Sequence, residues 1–162
     1  IAKKMKAKFI FFSSSEIYGN PDIKNIPTSE NYRGYVSSIG GRSCYDEGKR
    51  VGETLSYSYY EHFGIHTNCI RPFNIYGPGM LQTDYRVLPN FALNILNNKP
   101  LRVFYPGTQT RTYCYATDAI IGFFLVFFPK KNWKRLKSIK FFKWNSLKIN
   151  IFSHWKPSIY FS

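Results

Sequence analysis

The sequence predicts an α/β fold on a parallel sheet, and two observations carry that prediction. Short apolar runs alternate with segments of helical period and helical length, the pattern of strand–helix–strand units. The first of these runs, in KFIFFSSSEIYG, is apolar on both faces, as a strand in the middle of a sheet must be. At 162 residues the chain suits one domain with a real core. It opens at Ile1, the strand pattern follows almost at once, and it reads as a piece of a longer protein.

Each element follows from local pattern. Residues 8–12 form the buried strand. A loop rich in Pro, Asn, Ser and Gly runs from Gly19 to about Arg42. From Ser43 to Phe63 apolar and aromatic residues recur at helical spacing, and Gly64 stops that helix. IHTNCIRPFNIYGPG gives a short strand ending near Pro72 and then a turn-rich loop. Residues 87–98 make a second helix, LRVF a strand and RTYCYA another. Thr117 and Asp118 open a last helix through Phe128, with Thr117 as N-cap.

Composition narrows the function classes. The net charge of +14 is concentrated in residues 129–162, which hold nine Lys/Arg and no Asp or Glu. Most of the excess therefore belongs to the tail and says little about the body, and this distribution argues against a nucleic-acid reading. The longest apolar run, AIIGFFLVFF (Ala119 to Phe128), is about half the length of a membrane-spanning helix. No secretory pattern opens the sequence as given. Cys44, Cys69 and Cys114 are odd in number and widely spaced, which suits a reducing, cytoplasmic compartment. His62, His66 and His154 form no zinc pattern with them, so no metal is expected.

The sharpest chemistry lies in CYDEGKR. Tyr45 and Lys49 are four apart on a predicted helix and share one face. An ammonium beside a phenol favours the phenolate, which is a general base for a sugar or alcohol hydroxyl. Such pairs also arise by chance on many helices, as an exposed aromatic beside a solvated lysine. The context decides between the two readings. SSSEIYG ends the first strand, YDEGK opens the helix, and RPFNIYGPG, RVLPNF and GTQTRTYCYATDAI follow in order.

This ordered set resembles the extended short-chain dehydrogenase/reductase family, within it the NAD-dependent sugar-nucleotide epimerases, dehydratases and decarboxylases. The resemblance covers about residues 7–128 and implies the C-terminal half of a Rossmann-like, doubly wound parallel sheet with part of a small substrate-binding region. It implies NAD as cofactor and a UDP-sugar as substrate. Ser14 becomes the triad hydroxyl, Tyr45 the proton acceptor, and Lys49 the residue that tunes Tyr45 and holds the nicotinamide ribose, with Pro72 beside the cofactor. Ser15, Asn74, Arg86 and Arg111 match positions around the sugar nucleotide, and Glu16 is a site carboxylate. Dehydratases of the family place Asp-Glu after the triad hydroxyl and simple epimerases have no acid there. Ser15-Glu16 is the pattern of the UDP-glucuronate decarboxylases. A competing reading has Ser15 and Glu16 merely capping a turn.

The same resemblance implies a homodimer when full length, and no nucleic-acid or membrane partner. It also exposes a gap. No Gly-x-x-Gly-x-x-Gly turn occurs in these residues, so the chain alone is expected not to bind NAD usefully. Residues 129–162 are expected to be an atypical basic tail, either an amphipathic surface-binding segment or, as their lack of Asp, Glu and Gly favours, a shifted reading frame or disordered stretch. Three rivals stand beside decarboxylation: a dTDP-glucose 4,6-dehydratase-like or 4-epimerase activity, a non-catalytic remnant, and a nucleic-acid module built on the tail.

Overall fold

A computed structural model describes residues 1–128 and 160–161. In chain order it contains α1 (Ala2–Met5), β1 (Phe9–Phe12), two 3-10 turns (Ser15–Tyr18 and Ile23–Asn25), α2 (Ser43–Phe63), β2 (Thr67–Ile70), β3 (Asn74–Tyr76), α3 (Val87–Leu96), β4 (Arg102–Val103), β5 (Tyr113–Tyr115), α4 (Ala116–Phe127) and β6 (Tyr160–Phe161). The strands pair in parallel, β1 with β2, β3 with β5, and β4 with β6. No helix among the described residues is long and apolar enough to cross a membrane. The chain forms two compact units, one from Ile1–Phe73 with α4 from Ala119 onward, the other centred on Asn74–Asp118.

In the first unit β1 and β2 run in register from Phe9 opposite Thr67 to Phe12 opposite Ile70. Pairing continues past both strands: the Ser13 amide donates to the Ile70 carbonyl at 2.7 Å and the Ser15 amide to the Pro72 carbonyl at 3.0 Å. α2 is the crossover between them. It ends as the sequence predicts, with Gly64 at φ 64° and its amide on the Tyr60 carbonyl. Gly52 brings the helix down on β1, since a Cβ there would lie 2.1 Å from the Phe11 ring. One turn on, the buried Ser56 donates its hydroxyl to the Gly52 carbonyl at 2.8 Å, and Thr67 Oγ1 of β2 donates to the Ser56 carbonyl at 3.1 Å. Ile17, Tyr18, Ile65, Cys69 and Ile70 form the core with Ala119 and Val126 of α4. Phe12 meets Phe123 of α4 edge-on at 5.0 Å.

In the second unit β3 and β5 align Asn74 with Tyr113 and Tyr76 with Tyr115. The Tyr76 ring packs against those of Tyr113 and Tyr115 at 6.1 and 5.4 Å.

Several expectations need correction. The first strand is not buried on both faces: Phe9 and Phe12 are 43% and 42% exposed, because among the described residues β1 has only β2 beside it. A strand, β3, forms inside the predicted turn-rich loop, and α1 precedes β1 unannounced. Thr117 is not an N-cap. The last helix starts one residue earlier, leaving Thr117 inside its first turn with Asp118, where a carboxylate suits the helix dipole. The second helix stops at Leu96, with Asn97 as its C-cap. The expectation for the tail falls outside the described residues, apart from the pairing of Tyr160–Phe161 with β4.

The loop after β1 folds back tightly. Gly19 takes φ 61°, and Gly34 passes so close to the 3-10 turn that a Cβ would sit 2.3 Å from the Ile17 carbonyl oxygen and 2.5 Å from Tyr18 Cα. Those obstacles are backbone and cannot swing aside. Gly34→Ala should therefore lower stability by about 1–3 kcal/mol, read as a lower urea midpoint. An unchanged midpoint would mean that this loop does not pack on the turn.

Candidate functional site

The end of β1 delivers a compact polar turn. Ser14, 7% exposed, is the N-cap of the 3-10 turn, its Oγ accepting the Glu16 amide at 3.2 Å. The cap is thus Ser14 and not Ser15 or Glu16, and capping does not compete with a site role for Ser14, because it fixes the hydroxyl at the strand end. Ser13 is buried with its hydroxyl unpartnered. Ser15 is tied through its amide to Pro72. The Glu16 carboxylate leaves the turn toward solvent and meets Arg42, with Nη2 to Oε2 3.4 Å.

α2 brings its first turns to the same place. Lys49 Nζ donates to the Phe12 carbonyl at 2.7 Å, which fixes the helix over the last residue of β1. The ammonium also lies 5.4 Å from the Phe11 ring and 5.5 Å from the Tyr45 ring. The Arg42 guanidinium lies 5.6 Å from the Tyr45 ring. Tyr45 is half-exposed, so its phenol is open to a ligand while cations stand near its ring. The structure places Ser14, Glu16, Tyr45 and Lys49 near the carboxyl end of β1. A cavity of about 600 Å³, bordered by Tyr32, Arg50, Tyr57 and Cys69, is lined by none of the four.

Sequence reasoning missed the residues that hold this arrangement. Arg71, just past β2, is 7% exposed. It grips Glu53 of α2 with two parallel bonds, Nε to Oε1 at 2.7 Å and Nη2 to Oε2 at 2.6 Å. Its Nη1 donates to the Tyr18 hydroxyl at 2.5 Å and to the Glu30 carbonyl at 3.0 Å. Burial alone would lower the guanidinium pKa, but the bonds to Glu53 and Tyr18 hold it above its ordinary value. Burial pushes the Tyr18 phenol up to about 12, against the pull of Arg71. A signal was available: Tyr45, Lys49 and Glu53 follow one another at four-residue spacing along one helix face.

The second unit carries the remaining expected residues. Asn74 Nδ2 donates to the Thr112 carbonyl at 3.0 Å, which occupies one of the two amide N–H donors. Arg111 is exposed and donates to the Thr110 carbonyl beside it. Arg86, at the N-cap of α3, is held by Asp84, with Nε 3.0 and 2.9 Å from the two carboxylate oxygens and Nη2 bonded to Oδ2. A hollow of about 420 Å³ between the Gly77–Gln82 loop and α3 is lined by none of these three.

Comparisons with known proteins show the family and the fold. The model of the NAD dependent epimerase/dehydratase family matches residues 1–132. UDP-glucuronic acid decarboxylase 6 of Arabidopsis thaliana is 47% identical over 122 residues, 75% of this chain and 35% of that protein. UDP-glucuronic acid decarboxylase 1 of Xenopus tropicalis is 43% identical over 122 residues, 28% of its length. The chain thus spans about a third of the curated relatives it matches. UDP-glucuronic acid 4-epimerase of Bacillus cereus, solved with NAD, superposes with TM-score 0.66 at 32% identity, over 81% of this chain and 39% of that one. dTDP-glucose 4,6-dehydratase of Bacillus anthracis, with TM-score 0.65 at 22% identity over 77% and 38%, shows the fold alone. These neighbours and the parallel strand pairs make the fold Rossmann-like α/β.

The Asp84–Arg86 pair gives a pH test. The Arg86 side-chain bonds, and then its amide at 2.9 Å, hold the Asp84 carboxyl below the ordinary carboxylate value. The stabilisation is therefore present above the unfolded value, and is lost as pH falls through the lowered folded value. Carbon NMR of the Asp84 carboxyl should show a midpoint below about 3.9, rising toward it in Arg86→Gln. A midpoint at or above the ordinary value would mean that Asp84 does not hold Arg86 in solution.

Proposed function

Because this chain belongs to the NAD dependent epimerase/dehydratase family, we propose that it carries the proton-transfer groups of an enzyme that decarboxylates UDP-glucuronate to UDP-xylose. The observation that carries the proposal is the Ser14–Glu16 turn lying at the strand end to which Lys49 fixes the Tyr45 helix. The 47% identity to a UDP-glucuronic acid decarboxylase supports the choice of reaction, as does Ser15-Glu16 where dehydratases of the family carry Asp-Glu.

The residues present fit one end of NAD. Tyr45, open to solvent, and Lys49, beside it on the same face, suit the nicotinamide ribose, with Pro72 adjoining through its bond to Ser15. When bound, NAD supplies a reversible hydride acceptor at C4 of the sugar. The residues of this chain supply the proton transfers. Tyr45 takes the proton from the C4 hydroxyl, Ser14 hydrogen-bonds that oxygen, and Lys49, 5.5 Å from the Tyr45 ring, holds the nicotinamide ribose. The 4-keto sugar is a β-keto acid, so its C5 carboxylate leaves as carbon dioxide. A proton delivered at C5 beside Glu16, and reduction at C4, complete a UDP-pentose. Positioning dominates, because oxidation has already made the C5 bond labile. Asn74, Arg86 and Arg111 are assigned to the UDP portion, the arginines offering a planar fork to the diphosphate. A cytoplasmic location, resting on the three unpaired thiols, and a homodimeric whole enzyme belong to the same proposal.

The test uses residues 1–128 grafted in place of the matching segment of the Arabidopsis decarboxylase. The hybrid should release carbon dioxide from UDP-glucuronate and leave dTDP-glucose unchanged by mass spectrometry. A 4-keto-6-deoxy product from dTDP-glucose, or the 4-epimer of UDP-glucuronate without loss of carbon dioxide, would overturn the assignment. In the hybrid, Tyr45→Phe should lower turnover by a factor of roughly 10²–10⁴ with sugar-nucleotide affinity nearly intact. Near-normal turnover would remove Tyr45 from the reaction.

A further inference from the structure

The Glu16 carboxylate poses a problem for any substrate that is itself an acid. On the reading above, which sets C5 of the sugar beside Glu16, a uronate carboxylate on C5 would approach that side chain, and like charges at contact distance repel. The local charges resolve this. Lys49 directs its ammonium to the Phe12 carbonyl and lies 5.5 Å from the Tyr45 ring. Glu47, on the same turn of α2, is paired with Arg50 at 3.6 Å. The charge of Glu16 is answered by Arg42, whose Nη2 is 3.4 Å from it and whose guanidinium also stands 5.6 Å from the Tyr45 ring. With that pair formed the Glu16 charge is answered locally, and a further anion meets less repulsion there.

We propose that Arg42 is a positioning residue that selects acid sugars, neutralising Glu16 so that a second carboxylate, on C5 of a UDP-sugar, can lie beside it. The proposal rests on the UDP-uronate reading above. Arg42 acts through Glu16 and not on the departing carboxylate. A direct guanidinium bond to that group would stabilise the ground state more than the transition state and oppose loss of carbon dioxide. Arg42 was reachable from sequence as the arginine three residues before Tyr45. Its side chain is 64% exposed, so its replacement should leave the fold intact.

Calorimetric titration of the hybrid with UDP-glucuronate and with UDP-glucose tests this. Arg42→Gln should weaken UDP-glucuronate about tenfold and UDP-glucose less than about twofold, the difference being the unscreened carboxylate pair. Arg42→Lys should retain most of the preference. The double variant Glu16→Gln/Arg42→Gln should recover much of the UDP-glucuronate affinity, because no charge is then left to screen. Equal loss for both ligands, or a double variant no better than the single one, would overturn the proposal. These ratios are read on the Tyr45→Phe background of the hybrid, where turnover is suppressed and affinity nearly intact, and carbon dioxide release is read with Tyr45 in place. A hybrid that shows them but releases no carbon dioxide refutes decarboxylation and leaves acid-sugar selection standing. One that releases carbon dioxide without them refutes only the role of Arg42.

Discussion

A buried guanidinium organises the first unit. Taking a charge from water costs several kcal/mol even after relaxation, and Arg71 is tolerated only because its fork is filled: two bonds to Glu53, one to Tyr18 and one to the Glu30 carbonyl. Those four bonds join the end of β2, the middle of α2, the 3-10 turn after β1 and the following loop. The geometry leaves α2 little freedom to rotate. With Glu53 pinned, Lys49 and Tyr45 follow one and two helical turns earlier on the same face, toward the end of β1. The exposed contacts there could not do this alone. An ion pair such as Arg42–Glu16, with side chains 64% and 44% exposed, contributes about 0–1 kcal/mol. Removing one partner of a buried pair costs roughly 3–5 kcal/mol.

The packing of the same helix makes the constraint affordable. Gly52 and Ser56 present almost no side chain toward the strands, so α2 lies close enough for Lys49 to reach the Phe12 carbonyl and for Thr67 to reach the Ser56 carbonyl. A larger residue at Gly52 would lift the helix off Phe11 and carry Tyr45 with it. Close packing, the buried pair and the strand-end turn thus act on one outcome: a phenol, an ammonium and a carboxylate held at the end of β1.

Much of this was legible in the sequence where a local signal was strong. α2 was readable from its period and from Gly64, and the site cluster from motif order. The elements that escaped had weak local signals. β3 is three residues inside a turn-rich run, and it exists because β5 pairs with it, which no local pattern reveals. The exposure of Phe9 and Phe12 depends on how many neighbours β1 has, not on the apolar pattern that predicts a strand. Asn74 and Arg86 were matched by motif, but their bonds to Thr112 and Asp84 depend on backbone geometry. Arg71 was hidden because a lone arginine after a strand reads as a surface charge until its carboxylate partner, 18 residues earlier, is seen on the adjoining helix.

The central claim is that the Arg71–Glu53 pair seats the helix carrying Tyr45. A double-mutant cycle on the 162-residue chain, with Arg71→Met, Glu53→Gln and the double variant followed by urea unfolding, tests it most directly. If the pair works as described, each single variant is strongly destabilised and the double variant loses well under the sum, with a coupling of about 2 kcal/mol or more. Effects that add to within about 0.5 kcal/mol would contradict the account. They would mean that the two side chains act independently and that something else holds α2 against the strand ends.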